Sequence, residues 1–337
     1  MQQKIFIVEA GPTNPHLDAG SRCIQDLKNG LIKLGFLVQI LQENHVDFER
    51  NLIKNKEQIF ILSRPSLAAR ILIKFPTIEK TIFFGHDLHF KRLKHQNAIL
   101  NNLNNKNVRA MKLIEEICWK KSKIILYPSK EESEFVNDYL GENKAINLPI
   151  YSFDENLKIA KERKSSLIFV GGESHDPNRD GIIWFFERVW PEIENNNSIE
   201  VNVIGRWTNQ SIKKYSNNNI KFLGILEEDD MLNVVMKSGI GIAPLRFGAG
   251  VKRKVLQYFH AKIPVVTTDF GVQGLNKEKL KNIDVGIAND EKTFAALING
   301  LFKDKNEFKN AGLRNYQYVM EEYSNKVYLQ NLNKILS

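Results

Sequence analysis

IGIAPLRFGAGVKRKVLQYFHAKIPVVTT (240–268) holds a complete strand–helix–strand unit. An apolar run at 240–245 leads into Gly248, Ala249 and Gly250. Helical spacing follows over 251–261, then a β-branched run over 263–268. Two short strands separated by an amphipathic helix pair in parallel, so this stretch predicts an α/β sheet. Between the first strand and the helix, the small residues are followed at once by Lys252, Arg253 and Lys254.

The same alternation extends outward. In the second half it gives strands at 166–172, 200–206, 220–224 and 284–289, with a helix at 180–193. In the first half it gives strands at 4–10, 36–42, 58–63, 80–85, 123–129 and 144–149, with helices at 21–35 and 107–123. The polar stretch 151–166 interrupts the pattern. The chain is therefore α/β, with two doubly wound domains: an N-terminal one at 1–155 and a C-terminal one at 165–320.

Composition agrees with a globular pair of domains. A 337-residue chain with 42% hydrophobic and 26% charged residues is long enough for two cores and too apolar for wholesale disorder. Cys23 and Cys118 match no metal spacing and read as buried thiols of a reducing compartment. No apolar run approaches the ~20 residues of a membrane span. The opening MQQKIFIVEAG reads as a first strand, not a targeting segment. Net charge is +9, with about +6 in residues 1–150. That balance suits anionic partners: nucleotide phosphates, nucleic acid or a membrane surface.

Ligands of doubly wound sheets bind beyond the carboxyl ends of the strands. The 248–251 loop, Gly248-Ala249-Gly250-Val251, is the best equipped. Glycine admits close backbone approach, and a helix N-terminus carries unpaired N–H groups. Its dipole disfavours cations in the first turn, so Lys252 and Lys254 there call for an anion such as a diphosphate. Gly205 and Arg206 end another strand, and Arg binds phosphate bidentately. In FVGGESHDPNRDG (169–181), Gly171 and Gly172 permit close approach; His175 and Asn178 are ligand contacts or surface and capping groups.

In the first half, Asp18, Gly20 and Ser21 face a ligand or cap the helix that follows. His86 and Asp87, in FFGHDLHF (83–90), are a polar cluster at a strand end, suited to hydrogen-bonding a substrate. His86 and His89 lack a third ligand at a zinc spacing. The Lys/Arg positions of 91–95 and 106–123 form a basic amphipathic region: a solvated helix face, or a dock for anionic lipid. There is no Asp-x-Asp, P-loop, Gly-x-Ser-x-Gly or full Gly-x-Gly-x-x-Gly motif. Aromatic residues are not interleaved with the basic runs, so no nucleic-acid partner is expected.

PLRFGAGVKRKVLQYFHAKIPVVTTDFGVQGL (244–275) resembles the donor-binding segment of the glycosyltransferase family 4 (group 1) enzymes, and FVGGESHDPNRDGIIWFFERVWP (169–191) resembles the opening of their donor domain. DAGS (18–21), ILSRP (61–65, with Arg64) and HDLHF (86–90) resemble acceptor-domain segments. The resemblance implies the GT-B fold: two Rossmann-like domains facing across a cleft, with the terminal helix 323–337 returning to the first. It implies a retaining, metal-independent transferase with no cofactor. A sugar would pass from a nucleotide diphosphate donor to a glycan or lipid-linked acceptor in cell-surface polysaccharide synthesis. By resemblance, Arg206, Lys252 and Lys254 would hold the diphosphate, and His86 would lie near sugar and acceptor. The location expected is the cytoplasm, with peripheral attachment to the inner face of the membrane.

One departure stands out. Where many members carry two glutamates, this chain has Ala249 and Gln257. Gln257 still accepts a hydrogen bond from a ribose hydroxyl, more weakly than a carboxylate. At Ala249 the backbone N–H groups would have to serve instead. Two rival readings follow: a catalytically inactive GT-B partner or binding protein, and a nucleotide-sugar epimerase.

Overall fold

The computed structural model describes residues 3–12, 19–99, 104–155, 163–283 and 285–336. Strands β1 (Lys4–Glu9), β2 (Leu37–Gln42), β3 (Ile59–Ser63), β4 (Thr81–Phe84), β5 (Ile124–Tyr127) and β6 (Ala145–Asn147) form one sheet, in the order β2-β1-β3-β4-β5-β6. Strands β7 (Ser166–Val170), β8 (Glu200–Ile204), β9 (Ile220–Gly224), β10 (Ile240–Ala243), β11 (Val265–Thr267) and β12 (Gly286–Ile287) form the other, in the order β12-β11-β10-β7-β8-β9. All the pairings within both sheets are parallel.

The chain divides into two compact units. One comprises residues 1–152, 249–251 and 325–337; the other comprises 153–248 and 252–324. In each sheet the first strand of the unit is internal and the order reverses beside it, between β1 and β3 and between β7 and β10. Parallel strands are covered by helices on both faces, which is why they read as unbroken apolar runs. Ile5, Phe6, Ile7 and Val8 are all fully buried, as are Leu167, Ile168 and Phe169. The first core adds Trp119, Phe60, Phe83 and Leu52; the second adds Phe185, Val203, Ile242 and Phe294.

Strand positions agree with the sequence expectation to within a few residues at each end, although Asp284 lies outside the described residues. Helix positions agree less well. Helices Phe48–Lys54, Pro65–Lys74, Lys130–Leu140, Glu228–Lys237, Glu291–Lys303 and Lys305–Tyr323 were not anticipated, and of helix His89–Ile99 only the basic face at 91–95 was. The helix expected at 180–193 begins at Asp176, four residues earlier. It has Pro177 in its first turn, and it ends at Trp184, where a π-helical turn (Phe185–Val189) takes over. Proline is well placed in a first turn because its missing N–H has no partner there anyway. The helix expected at 251–261 is shorter, Arg253–His260, with Lys252 at its N-cap.

The last helix, Asn325–Leu336, lies against helix Ala19–Lys33 within the first unit. A Cβ added at Gly30 would fall 2.7 Å from the Tyr328 ring, so the close approach depends on that glycine.

Candidate functional site

In the second unit, three βα loops meet beside the reversal of strand order. After β7 come Gly171 and Gly172; after β8 come Gly205 and Arg206; after β10 the chain runs to Lys252 and the helix Arg253–His260. The first two loops are laced together. The Glu173 N–H donates to the Arg206 carbonyl at 2.9 Å, and the Trp207 indole N–H donates to the Gly171 carbonyl at 2.9 Å. Gly205 has φ +135°, and a Cβ there would lie 2.5 Å from the Gly171 oxygen. A Cβ on Gly171 would lie 2.6 Å from the Asn178 amide nitrogen and 2.8 Å from Lys254 Nζ. Both positions accept only glycine without displacement.

Lys254 Nζ donates to Asn178 Oδ1 at 2.6 Å, and the Asn178 amide donates to the Gly172 carbonyl at 3.1 Å. The ammonium also sits 4.0 Å from the centre of the Phe169 ring. Burial, with Lys252 adding like charge, holds the Lys254 ammonium well below the usual lysine value. Among the described residues, no carboxylate pairs with it. Its neighbour Arg253 differs, since it reaches Glu228 at 3.2 Å. Arg206 is exposed, and among the described residues no carboxylate engages its guanidinium. Two cations thus stand at strand ends without acid partners, beside backbone that only glycine can supply. That arrangement suits an oxyanion.

The remaining expected residues fall as follows. Asn178 is buried in the first turn of helix Asp176–Trp184, and His175 is exposed at its N-cap without a side-chain capping bond. The capping role considered for Asn178 is therefore replaced by its tie to Lys254. Gly248 precedes Lys252, and Gln257 lies one helical turn beyond Lys254. Ala249, Gly250 and Val251 group with the first unit.

Sequence reasoning missed the Arg246–Asp180 ion pair, in which Arg246 Nε donates to Asp180 Oδ2 at 2.8 Å. It also missed the ring of Phe169 beneath the ammonium. A cation and an acid 66 residues apart carry no local signal of pairing.

In the first unit, the ends of β1, β3 and β4 carry Glu9, Ser63–Arg64 and His86–Asp87. Ser63 Oγ and His86 Nε2 are 2.7 Å apart, and His86 Nδ1 is buried without a hydrogen-bond partner. Burial, reinforced by Arg64 and His89, keeps the His86 imidazole well below its usual value, so it is neutral at pH 7. Arg64 has φ 66° and ψ 116° immediately before Pro65 and lies 3.5 Å from Glu9 Oε2. Positive φ on a side chain this large is strained backbone, of a kind that clusters at functional positions.

Asp87 turns to His89, whose Nδ1 is 2.8 Å from Oδ1, and to Arg92, whose Nε is 3.4 Å from Oδ2. Burial pushes the Asp87 carboxyl up, but His89 and Arg92 outweigh it and hold it well below the carboxylate range; His89 is raised in return. Behind them stand two glutamates that sequence reasoning did not single out. Glu115 accepts the His89 and Phe90 N–H groups, each at 3.0 Å, and Glu132 accepts the Leu88 N–H at 3.1 Å. These carboxylates cap the start of helix His89–Ile99 from two other helices. Burial pushes Glu115 up to about 7.

Gly20 and Ser21 lie inside helix Ala19–Lys33, so Ser21 is not its cap; Asp18 lies outside the described residues. Cys23 and Cys118 are buried free thiols. Among the described residues, no three His, Cys, Asp or Glu side chains converge as a metal site, and no helix is long and apolar enough to cross a membrane.

Comparison with known proteins gives this geometry a context. An uncharacterized 44.6 kDa protein in the cps region of Klebsiella pneumoniae is 27% identical over 177 residues, which is 50% of this chain and 45% of that protein. The chain therefore spans less than half the length of that curated relative. Among solved structures, Anabaena HepE in complex with UDP and glucose superposes with a TM-score of 0.73 at 11% identity, over 99% of both chains. Sucrose-phosphate synthase from Thermosynechococcus elongatus superposes with a TM-score of 0.75 at 12% identity, over 99% of this chain and 98% of that one. Residues 164–304 match the family model described as glycosyl transferases group 1. The chain accordingly has the GT-B fold of these structures, and the part of it that matches the group 1 glycosyltransferase model, residues 164–304, lies, 249–251 apart, within the second unit.

Proposed function

We propose that this chain transfers a sugar from a nucleoside diphosphate sugar to a hydroxyl of a glycan or lipid-linked acceptor. The observation that carries the reading is Lys254. It is a half-buried ammonium with no acid partner among the described residues, set beside Gly171, Gly172 and Gly205 at a reversal of strand order. In the transfer, the bond from the sugar C1 to the β-phosphate oxygen breaks, and its electron pair leaves on the diphosphate. The acceptor oxygen bonds C1, and its proton leaves with the diphosphate. Lys254, Lys252, Arg206 and the N–H groups at the start of helix Arg253–His260 stabilise the departing charge. His86, neutral and held by Ser63, is placed in this reading near the sugar and acceptor, along with Asp87.

Retention of configuration, independence of metal and a place in surface-polysaccharide synthesis belong to the same proposal. The cps-region relative supports the last. UDP is the first donor nucleotide to test, because HepE was crystallised with it. The basic helices of the first unit, with Arg109, Leu113, Lys120 and Lys121 exposed on Lys106–Lys121, support attachment to an anionic membrane face. A second reading, an inactive GT-B binding protein, is favoured by Ala249 and Gln257 in place of the two glutamates.

The deciding experiment is a thermal-shift screen of the full chain against UDP, GDP, ADP and CMP sugars. A bound donor at ~100 times its dissociation constant stabilises by about 2.7 kcal/mol. The transfer reading expects one nucleotide class to do so, and expects the response to vanish in Lys252→Ala/Lys254→Ala. If no nucleotide raises the melting temperature, the transfer reading fails.

A further inference from the structure

Lys254 is held by an unusual partner. A half-buried ammonium in a folded protein ordinarily faces a carboxylate. Here the acceptor is the amide oxygen of Asn178 at 2.6 Å, and the remaining face of the ammonium rests on the Phe169 ring. Asn178 is itself fixed by its bond to the Gly172 carbonyl and by its own N–H, which donates to the His175 carbonyl at 2.8 Å. One buried side chain thus ties the lysine to the loop after β7. Among the described residues, Lys252 is the charged group that acts on Lys254, and it carries the same sign.

We propose that Asn178 is the positioning residue of the anion site: its uncharged oxygen aims Lys254 at the Gly171–Gly172 loop without neutralising it, leaving the ligand's diphosphate to supply the counter-charge. This rests on the donor reading above. It has a consequence in protons. The free protein holds an ammonium that has lost hydration and gained no anion, so it releases its proton more readily than an exposed lysine does. The diphosphate favours the charged form. Binding above the depressed value therefore takes up a proton, and affinity falls as pH rises. An aspartate at 178 would be nearly isosteric. It would keep the lysine charged in the free protein, remove the proton uptake and compete with the diphosphate.

The test is isothermal titration of the full chain with whichever of UDP, GDP, ADP and CDP binds best, from about pH 6 up to the usual lysine value of about 10.4, with a melting curve for each variant to establish folding. Wild-type affinity is expected to fall by up to about tenfold per pH unit over part of that range. Asn178→Ala, which removes both side-chain bonds, is expected to weaken binding roughly tenfold. Asn178→Asp, which keeps the acceptor for Lys254, adds charge and gives up the donor to the Gly172 carbonyl, is expected to weaken it on the order of 100-fold and to flatten the pH profile. A purely structural role predicts losses that follow each variant's melting temperature and leave the pH profile parallel to wild type. Asn178→Asp binding as well as Asn178→Ala, or a pH profile parallel to wild type, overturns the inference. If wild type binds none of the four nucleotides, the donor reading itself is overturned and this inference goes with it; binding without the ranking overturns this inference alone.

Discussion

The strand ends of the two units handle charge in opposite ways. In the first, Asp87 has His89 and Arg92, the N–H groups of residues 88–90 have Glu132 and Glu115, and Arg64 lies beside Glu9. In the second, Arg253 has Glu228, but Lys254 has an amide and a ring, and Arg206 has no carboxylate among the described residues. Charge matched inside the protein stabilises architecture; charge left unmatched at a strand end stabilises a ligand. The first unit therefore presents a neutral imidazole on a rigid frame, whereas the second presents cations awaiting an anion.

The contrast breaks most directly by exchanging the consequences of mutation. Lys254→Met is expected to reduce nucleotide affinity on the order of 100-fold while leaving the melting temperature of the free protein unchanged or raised, since no ion pair is lost. Glu115→Ala is expected to do the reverse. It leaves the His89 and Phe90 N–H groups buried without an acceptor, at a cost of about 2–3 kcal/mol, with nucleotide affinity within about twofold of wild type. Calorimetric melting and titration of both variants would show it; similar behaviour would erase the distinction.

A smaller effect concerns pH. Glu115 titrates at about 7 in the folded protein, above its usual value, so the folded state binds the extra proton and stability falls as pH rises from about 4.5 to 7. His89, also raised, contributes stability that is complete below its usual value and lost as pH climbs past the folded one. Both act in the same direction, so the melting temperature should decline as pH rises from about 4.5 to 7 and go on declining as His89 loses its proton. Glu115→Gln should remove the part between about 4.5 and 7 and leave the histidine part. The smallest expected change is in Arg206→Ala, where an exposed side chain with no carboxylate partner among the described residues should move stability by no more than about 0.5 kcal/mol while weakening nucleotide binding roughly tenfold.

The fold was legible because strand segments such as IFIV (5–8) and LIF (167–169) are buried on both faces and have to be apolar throughout. Several helices were hidden by their chemistry. DPN (176–178) reads as a turn, yet proline and asparagine sit comfortably in a first helical turn; of the helix His89–Ile99 only the basic face at 91–95 was read, without its bounds. At the second unit's strand ends, Gly171, Asn178, Gly205 and Lys254 were all visible as residues. Their mutual contacts were not, since Asn178 and Lys254 meet across 76 positions of chain. A sequence with three consecutive cations likewise gives no sign that the middle one pairs with Glu228. Glu115 went unmarked because a glutamate on a helix is ordinarily solvated, and only tertiary packing places this one behind the loop that carries His86.

The first unit also imposes an order on biosynthesis. Tyr328 and Leu332 seat against Gly30 from a helix synthesised after the whole of the second unit. As the chain leaves the ribosome, helix Ala19–Lys33 must wait through nearly three hundred residues of translation before its partner emerges. Its seam stays open for that interval, a period in which chaperone engagement, or self-association of nascent chains, would be at its greatest.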